Sequence, residues 1–306
     1  MTTRLLPGFR IGHWSDPDRV SGCSVVLPPR GNVTSCDVRG SSPGSRELTL
    51  LDLDRRLTEV HGILLTGGSA FGLAAATGVV EWLEEHGIGY ETAVATIPIV
   101  PAAVVFDLGA GSPDHRPGAE AGRSACEAAV EAGFDVGRVG AGTGATVGKW
   151  AGREHAVPGG FGVGHASHDG LSAAAVAVVN SVGDVIDADG RVVAGTSAAK
   201  ARMTPPLPEE QDVPMNTVLA VVAVEARLDK QQVRWLAGRG SDGITTSVRP
   251  AHTRYDGDVV FALAVPPGDD DPPADPDALG PLVTAAVAEA VRSAVRRPPE
   301  NDVVDL

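Results

Sequence analysis

An Asn–Thr pair, Asn216–Thr217, stands where a proline-rich acidic loop gives way abruptly to an apolar run over residues 218–224. Cutting the bond between them would turn Thr217 into an N-terminus with a hydroxyl and a free amine on one residue. That is a nucleophile and a base together, because an amine with a reference pKa of about 8 can take the hydroxyl proton at neutral pH. The loop over 203–215 carries Pro205, Pro206, Pro208 and Pro214 with Glu209, Glu210 and Asp212. Such a composition favours extended, solvent-exposed chain, where cleavage is easiest. The same dipeptide is also ordinary punctuation between a loop and a strand, so its meaning rests on other residues.

Four further polar residues stand at the ends of apolar or glycine-rich stretches. Lys149 closes the run 139–150, which imitates a phosphate loop but has Trp150 where a Ser or Thr would hold magnesium. Asn180 ends the apolar run 172–180 and either turns the chain with Gly183 and Asp184 or presents a fixed amide donor. Asp256 and Asp258, on either side of Gly257, precede the apolar run 259–265. They form either a plain turn or a pair of carboxylates. A second glycine-rich turn, Thr66-Gly67-Gly68-Ser69-Ala70-Phe71-Gly72, does not fit the GxGxxG spacing of a dinucleotide site and is read as close packing of a helix on a sheet. No cofactor is implied. Cys23, Cys36 and Cys126 are too widely spaced for a zinc site, and the eight His, among them His165 and His168 in an expected glycine-rich turn, show no metal-binding spacing. No metal is expected.

The elements that must position these residues are those of an α/β protein. The 306 residues are 43% hydrophobic but only 4% aromatic, with 38 Gly and 23 Pro, so packing rests on Val, Ala and Leu between tight turns. Strands are expected at 9–13, 22–27, 62–65, 97–108, 172–180, 218–224 and 259–265. Helices are expected from the 66–72 turn to about 85, and over 119–132, 229–239 and 279–295. A net charge of −14 argues against a nucleic-acid partner. The absence of a signal-like start or a long apolar run leads to the expectation of a cytoplasmic protein without a membrane partner.

Seven ordered landmarks carry a resemblance through nearly the whole chain: Ile11-Gly12-His13, the turn from Leu65 to Leu73, Pro98-Ile99-Val100-Pro101-Ala102-Ala103, the stretch from Gly140 to Lys149, Val179-Asn180-Ser181-Val182-Gly183-Asp184, Asn216-Thr217, and His252-Thr253 with Asp256-Gly257-Asp258. Together they resemble the L-aminopeptidase/D-esterase (DmpA-like) family of self-processing N-terminal nucleophile hydrolases, related to β-peptidyl aminopeptidases and nylon-oligomer hydrolases. The resemblance implies one hydrolase domain over 1–306, folded as a four-layer αββα sandwich. It implies self-cleavage into chains 1–216 and 217–306 and assembly of four processed pairs. Thr217 looks like the nucleophile of both cleavage and turnover, and Lys149 like the cation beside its hydroxyl. Asn180 looks like an oxyanion donor, and Asp256 and Asp258 like the carboxylates that hold Lys149 and the new ammonium. Departures from the family pattern are Val218, Val224-Glu225 and Phe106.

On this reading the chain is an N-terminal threonine hydrolase acting on short peptides, amides or esters through an acyl-enzyme on Thr217. Its rivals are a nonenzymatic small-molecule binder using the glycine turns and an inactive homologue serving as an assembly subunit.

Overall fold

Runs of Val, Ala and Leu free of charge can be buried on both faces, and here they form the centre of two stacked sheets. A computed structural model describes residues 2–18, 20–110, 112–198, 216–266, 268 and 274–296. The proline-rich loop 203–215 lies outside these. The sheet strands are β1 (Arg10–Ser15), β2 (Gly22–Leu27), β3 (Val33–Val38), β4 (Ser45–Arg46), β5 (Ile63–Thr66), β6 (Ala102–Val104), β7 (Gly160–His168), β8 (Leu171–Asn180), β9 (Thr217–Glu225) and β10 (Val259–Val265). One five-stranded sheet has the order β1-β2-β5-β6-β4 and the other β7-β8-β9-β10-β3. The longer helices are α1 (Ala75–Glu85), α2 (Ala119–Glu127), α3 (Lys230–Ser247) and α4 (Pro276–Val295).

Alternation along β9 distributes the core. Leu219, Val221 and Ala223 face Ile63, Leu65 and Ile11 of the other sheet, with Phe161 and Phe261 filling the same layer. Val218, Ala220, Val222 and Val224 face outward, where Leu236 and Ile244 of α3 and Val283 and Val287 of α4 cover them. On the far side α1 and α2 bring Ala76, Val79, Leu83 and Ala125 onto Val25 and Leu64. The result is the expected αββα sandwich. By length and composition α4 could cross a membrane, yet here its apolar face is core.

Two strands escape the hydrophobic pattern. β7 alternates glycine, and added methyl groups on Gly160, Gly162 and Gly164 would lie 2.3, 2.1 and 2.3 Å from the carbonyl oxygens of Ala294, Ala290 and Ala286. The glycines let α4 rest backbone to backbone on this strand. His165 and His168 therefore lie on a strand rather than in a turn. β3 is an edge strand whose Asp37 is held by Arg39, Arg234 and Ser241. Conversely, the expected strand over 97–108 gives the sheet of β1 and β2 only Ala102–Val104, with Ile97 in a separate short strand, because prolines at 98 and 101 cannot donate to a ladder. α3 starts at a reciprocal capping box between Asp229 and Gln232 and continues past the expected end at 239, since Gly240 and Gly243 fit closely against Val260 and Val287.

Candidate active site

The start of β9 is where the polar residues converge. β8 and β9 run antiparallel with Asn180 opposite Thr217. β9 and β10 run parallel, with Leu219 beside Val259, and just before that ladder Asn216 bridges to Asp256. The junction is thus flanked by Asn180 on one side and by Asp256-Gly257-Asp258 on the other. Asn180, Asn216, Thr217, Asp256, Asp258 and Lys149 are all buried.

Thr217 Oγ1 donates to the carbonyl oxygen of Asn216 at 2.5 Å. The backbone N–H of Gly257 donates to that same oxygen at 2.9 Å. The carbonyl of the Asn216–Thr217 bond is therefore polarised by two donors, and the hydroxyl lies directly beside it. A Cβ on Gly257 would come to 3.0 Å from Thr217 Oγ1 and 2.7 Å from the Ser42 carbonyl oxygen, so only glycine permits this approach. Gly257→Ala is expected to destabilise the fold by about 1 to 3 kcal/mol, as overpacked positions do, which a thermal melt would read as a lowered Tm. An unchanged Tm would show that the Ser42 loop yields freely.

Asp258 grips the strand just after the junction. Its Oδ1 accepts the Val218 N–H at 2.6 Å and its Oδ2 contacts His252 Nδ1 at 2.7 Å. His252 Nε2 faces the Ser241 carbonyl at 3.1 Å, which can only accept, so this nitrogen carries a hydrogen. Burial pulls the His252 pKa down, but the hydrogen bond and charge of Asp258 outweigh it and the net shift is upward. Asp256 Oδ2 accepts the Thr253 N–H at 2.6 Å. Burial, then the neighbouring Asp258 charge, raises the Asp256 carboxyl to about 6.

Lys149 follows Gly148, which has φ +74°, and its ammonium is turned inward. Nζ donates to the Asn180 backbone oxygen at 3.1 Å and to Asn180 Oδ1 at 2.8 Å. Asn180 Oδ1 also accepts the Thr146 N–H at 3.0 Å, and its Nδ2 donates to the Phe106 carbonyl at 3.0 Å. Among the described residues Lys149 makes no ion pair. Asp256 and Asp258, expected to hold it, are bonded instead to backbone and to His252, and Asn180 takes their place as the anchor. Burial, aided by Arg153 and opposed by Asp256 and Asp107, lowers the Lys149 pKa to about 7.

The glycine turn from Thr66 to Gly72 has an internal occupant. Asp107 accepts the Gly68 N–H at 2.7 Å and the Ser21 hydroxyl at 2.8 Å, and a Cβ on Gly67 would lie 2.1 Å from its Oδ2. The anion at this turn is the protein's own carboxylate, whose pKa burial raises. Beside Asn216 and Thr217 opens a cavity of about 430 Å³ walled by Ser42, Ser69, Phe106, Arg254 and Tyr255. On the other side of Phe106, Lys149, Asp107 and Arg153 line a smaller one of about 110 Å³.

Residues 6–298 match the family described as Peptidase family S58. The chain belongs to peptidase family S58. Among S58 relatives, an uncharacterized aminopeptidase of Mycobacterium leprae is 42% identical over 287 residues, covering 85% of this chain and 77% of that protein. The 6-aminohexanoate-oligomer endohydrolase of Paenarthrobacter ureafaciens is 30% identical over 274 residues, covering 84% of this chain and 73% of its own. The solved structure of an L-aminopeptidase D-Ala-esterase/amidase from Ochrobactrum anthropi, described as a variant of the Ntn hydrolase fold, superposes with a TM-score of 0.71 at 19% identity, over 94% of this chain and 84% of that one. This S58 peptidase is accordingly a hydrolase of the aminopeptidase/amidase type on an Ntn-hydrolase fold.

Three features of the S58 site are not marked by residue type alone. The Gly257 N–H is a backbone donor inside a landmark whose two aspartates draw attention. His252 stands in the sequence as part of a motif, and its seat between Asp258 and the Ser241 carbonyl of α3 shows only in the fold. Asp107 is a carboxylate at the end of an apolar run, and the turn it opens, closed by the Ala110 N–H on its carbonyl, hides in the sequence that its side chain points into the Gly67–Gly68 turn.

Proposed function

We propose that this S58 peptidase cleaves its own Asn216–Thr217 bond and then uses the freed Thr217 as the nucleophile that removes an N-terminal residue from short peptides, amides or esters. The observation that carries this reading is the Thr217 hydroxyl at 2.5 Å from the Asn216 carbonyl oxygen, which also accepts the Gly257 N–H. In the first step Thr217 Oγ1 bonds to the Asn216 carbonyl carbon, and Gly257 stabilises the oxygen as charge develops on it. The hydroxyl proton passes to a neutral Lys149 amine, which Asn180, opposite Thr217 in the strand pair, holds, and from there to the departing Thr217 nitrogen. The C–N bond breaks, leaving an ester. Water then releases the Asn216 carboxylate and restores the hydroxyl.

In turnover the new Thr217 amine takes the hydroxyl proton, as an amine of ordinary N-terminal pKa can at neutral pH. The substrate acyl carbon bonds to Oγ1, its amine or alcohol leaves with a proton, and water hydrolyses the acyl-enzyme. Lys149, held by Asn180 and poised near neutrality by burial, suits proton transfer in both phases. Intact mass after purification tests the reading. Two chains, 1–216 and 217–306, with the second beginning Thr-Val-Leu-Ala, are expected. A single uncut chain after prolonged incubation overturns it.

A further inference from the structure

The cavity beside Thr217 has a distinctive charge pattern. Its walls include Ser42, Pro43, Gly44, Ser69, Val104 and Phe106, and Arg254 is the only charged side chain lining it among the described residues. No carboxylate among those residues pairs with Arg254. The guanidinium lies over the Tyr255 ring, 4.8 Å from its centroid, and Nη2 donates to the Tyr255 hydroxyl at 2.5 Å. Stacking and this bond hold the planar fork at the cavity wall, and its other N–H donors make no hydrogen bond among the described residues. The hydroxyl-bearing side chains of Ser42 and Ser69 add small polar groups beside the apolar Pro43, Val104 and Phe106. Ser69 does so from φ +53°, a conformation rare for a non-glycine residue and enriched at sites that bind ligands.

We infer that Arg254 recognises a terminal carboxylate on the leaving side of the substrate, so that the preferred substrates are short peptides with a free C-terminus rather than their amides or neutral esters. This rests on the reading of Thr217 as nucleophile and names the substrate class of that same site. A cavity of about 430 Å³ is within the range that holds a ligand of one or two residues. With the acyl carbon at Thr217, the carboxylate of a dipeptide's second residue falls within the cavity. There a guanidinium donates two parallel hydrogen bonds to its oxygens. An ammonium in the same position, from a lysine side chain for instance, would be repelled.

The test compares L-Ala-L-Ala with L-Ala-L-Ala amide on the purified enzyme. The free acid is expected to have a kcat/KM about tenfold higher, through KM, as for a hydrogen bond to a charged group, and the advantage should shrink as salt screens the pair. Arg254→Gln should close the gap between the two substrates, and Arg254→Lys should keep part of it. In longer alanine peptides the preference should fade as the carboxylate moves past the arginine. Equal rates on acid and amide in the wild type, or a gap that survives Arg254→Gln, would overturn the assignment. If the wild type hydrolyses neither, the nucleophile reading fails. In that case, an NMR titration of the same pair into uncut Thr217→Ala still decides the inference, with tighter binding of the acid supporting it and equal binding overturning it.

Discussion

Thr217→Ala is expected to purify as one uncut chain with no hydrolase activity, while Thr217→Ser still processes, though more slowly. Both substitutions are small and sit at the first residue of β9, whose position is held by its ladders to β8 and β10, so the fold should survive either change. What differs is the oxygen. Alanine removes the hydroxyl that donates to the Asn216 carbonyl oxygen at 2.5 Å, leaving the Gly257 N–H to polarise a bond without its proposed nucleophile. Serine keeps the hydroxyl but lacks the methyl group that restricts χ1, so its Oγ samples other rotamers. Intact mass and a single-turnover assay read both activities. If alanine were still cut, or hydrolysed substrate at the wild-type rate, the nucleophile would lie elsewhere.

Lys149→Met should lower processing by about 10² to 10⁴-fold, the span typical for loss of a positioned acid or base. Its effect on stability should have the opposite sign. Burial lowers the Lys149 pKa from its ordinary 10.5 to about 7, so between those values the unfolded chain binds a proton that the folded chain does not. Wild-type stability therefore rises with pH across that window, and the folded state bears the burial penalty most fully below it. Methionine, similar in length and uncharged, removes the penalty. It should raise Tm near pH 7 and erase that part of the pH dependence. The wild-type self-cleavage rate should rise as pH passes through about 7, because the neutral amine is the form that accepts a proton. Processing that is flat through neutral pH would remove Lys149 from the proton path.

Much of the framework could be read directly from residue order. β2 and β10 coincide with the expected runs because both are short stretches, apolar but for Ser24, between turn signals. β7 was invisible for the opposite reason: what it needs facing α4 is the lack of a side chain, and glycine on alternate residues reads as loop. The second half of α3 was hidden likewise, since a segment rich in Gly, Ser and Thr has low helical propensity and is held by packing. Lys149, Asn180, Asp256 and Asp258 stand out in the sequence by motif, and the fold brings them around the start of β9, but their pairings are not legible there. The capture of Lys149 by Asn180 follows from the seating of the 146–150 segment on the chain just after β8, where Gly148 and Trp150 donate to the carbonyls of Gly183 and Val182, and the donor on the Asn216 carbonyl is a main-chain group that every residue but proline possesses.

Strand order determines what a break at Asn216–Thr217 would do to the molecule as a whole. β9 and β10 lie side by side inside the second sheet, with β8 on one flank and β3 on the other. Both flanking strands belong to the segment before the break. α4 belongs to the segment after it, yet rests on the glycines of β7. The two pieces are therefore interleaved rather than adjacent, and separating them requires opening a sheet along two ladders and stripping a helix from its seat. Once cut, the protein is a heterodimer whose interface is its own core. Its refolding after denaturation becomes a second-order process that slows on dilution, whereas the uncut Thr217→Ala chain should refold at a rate independent of concentration.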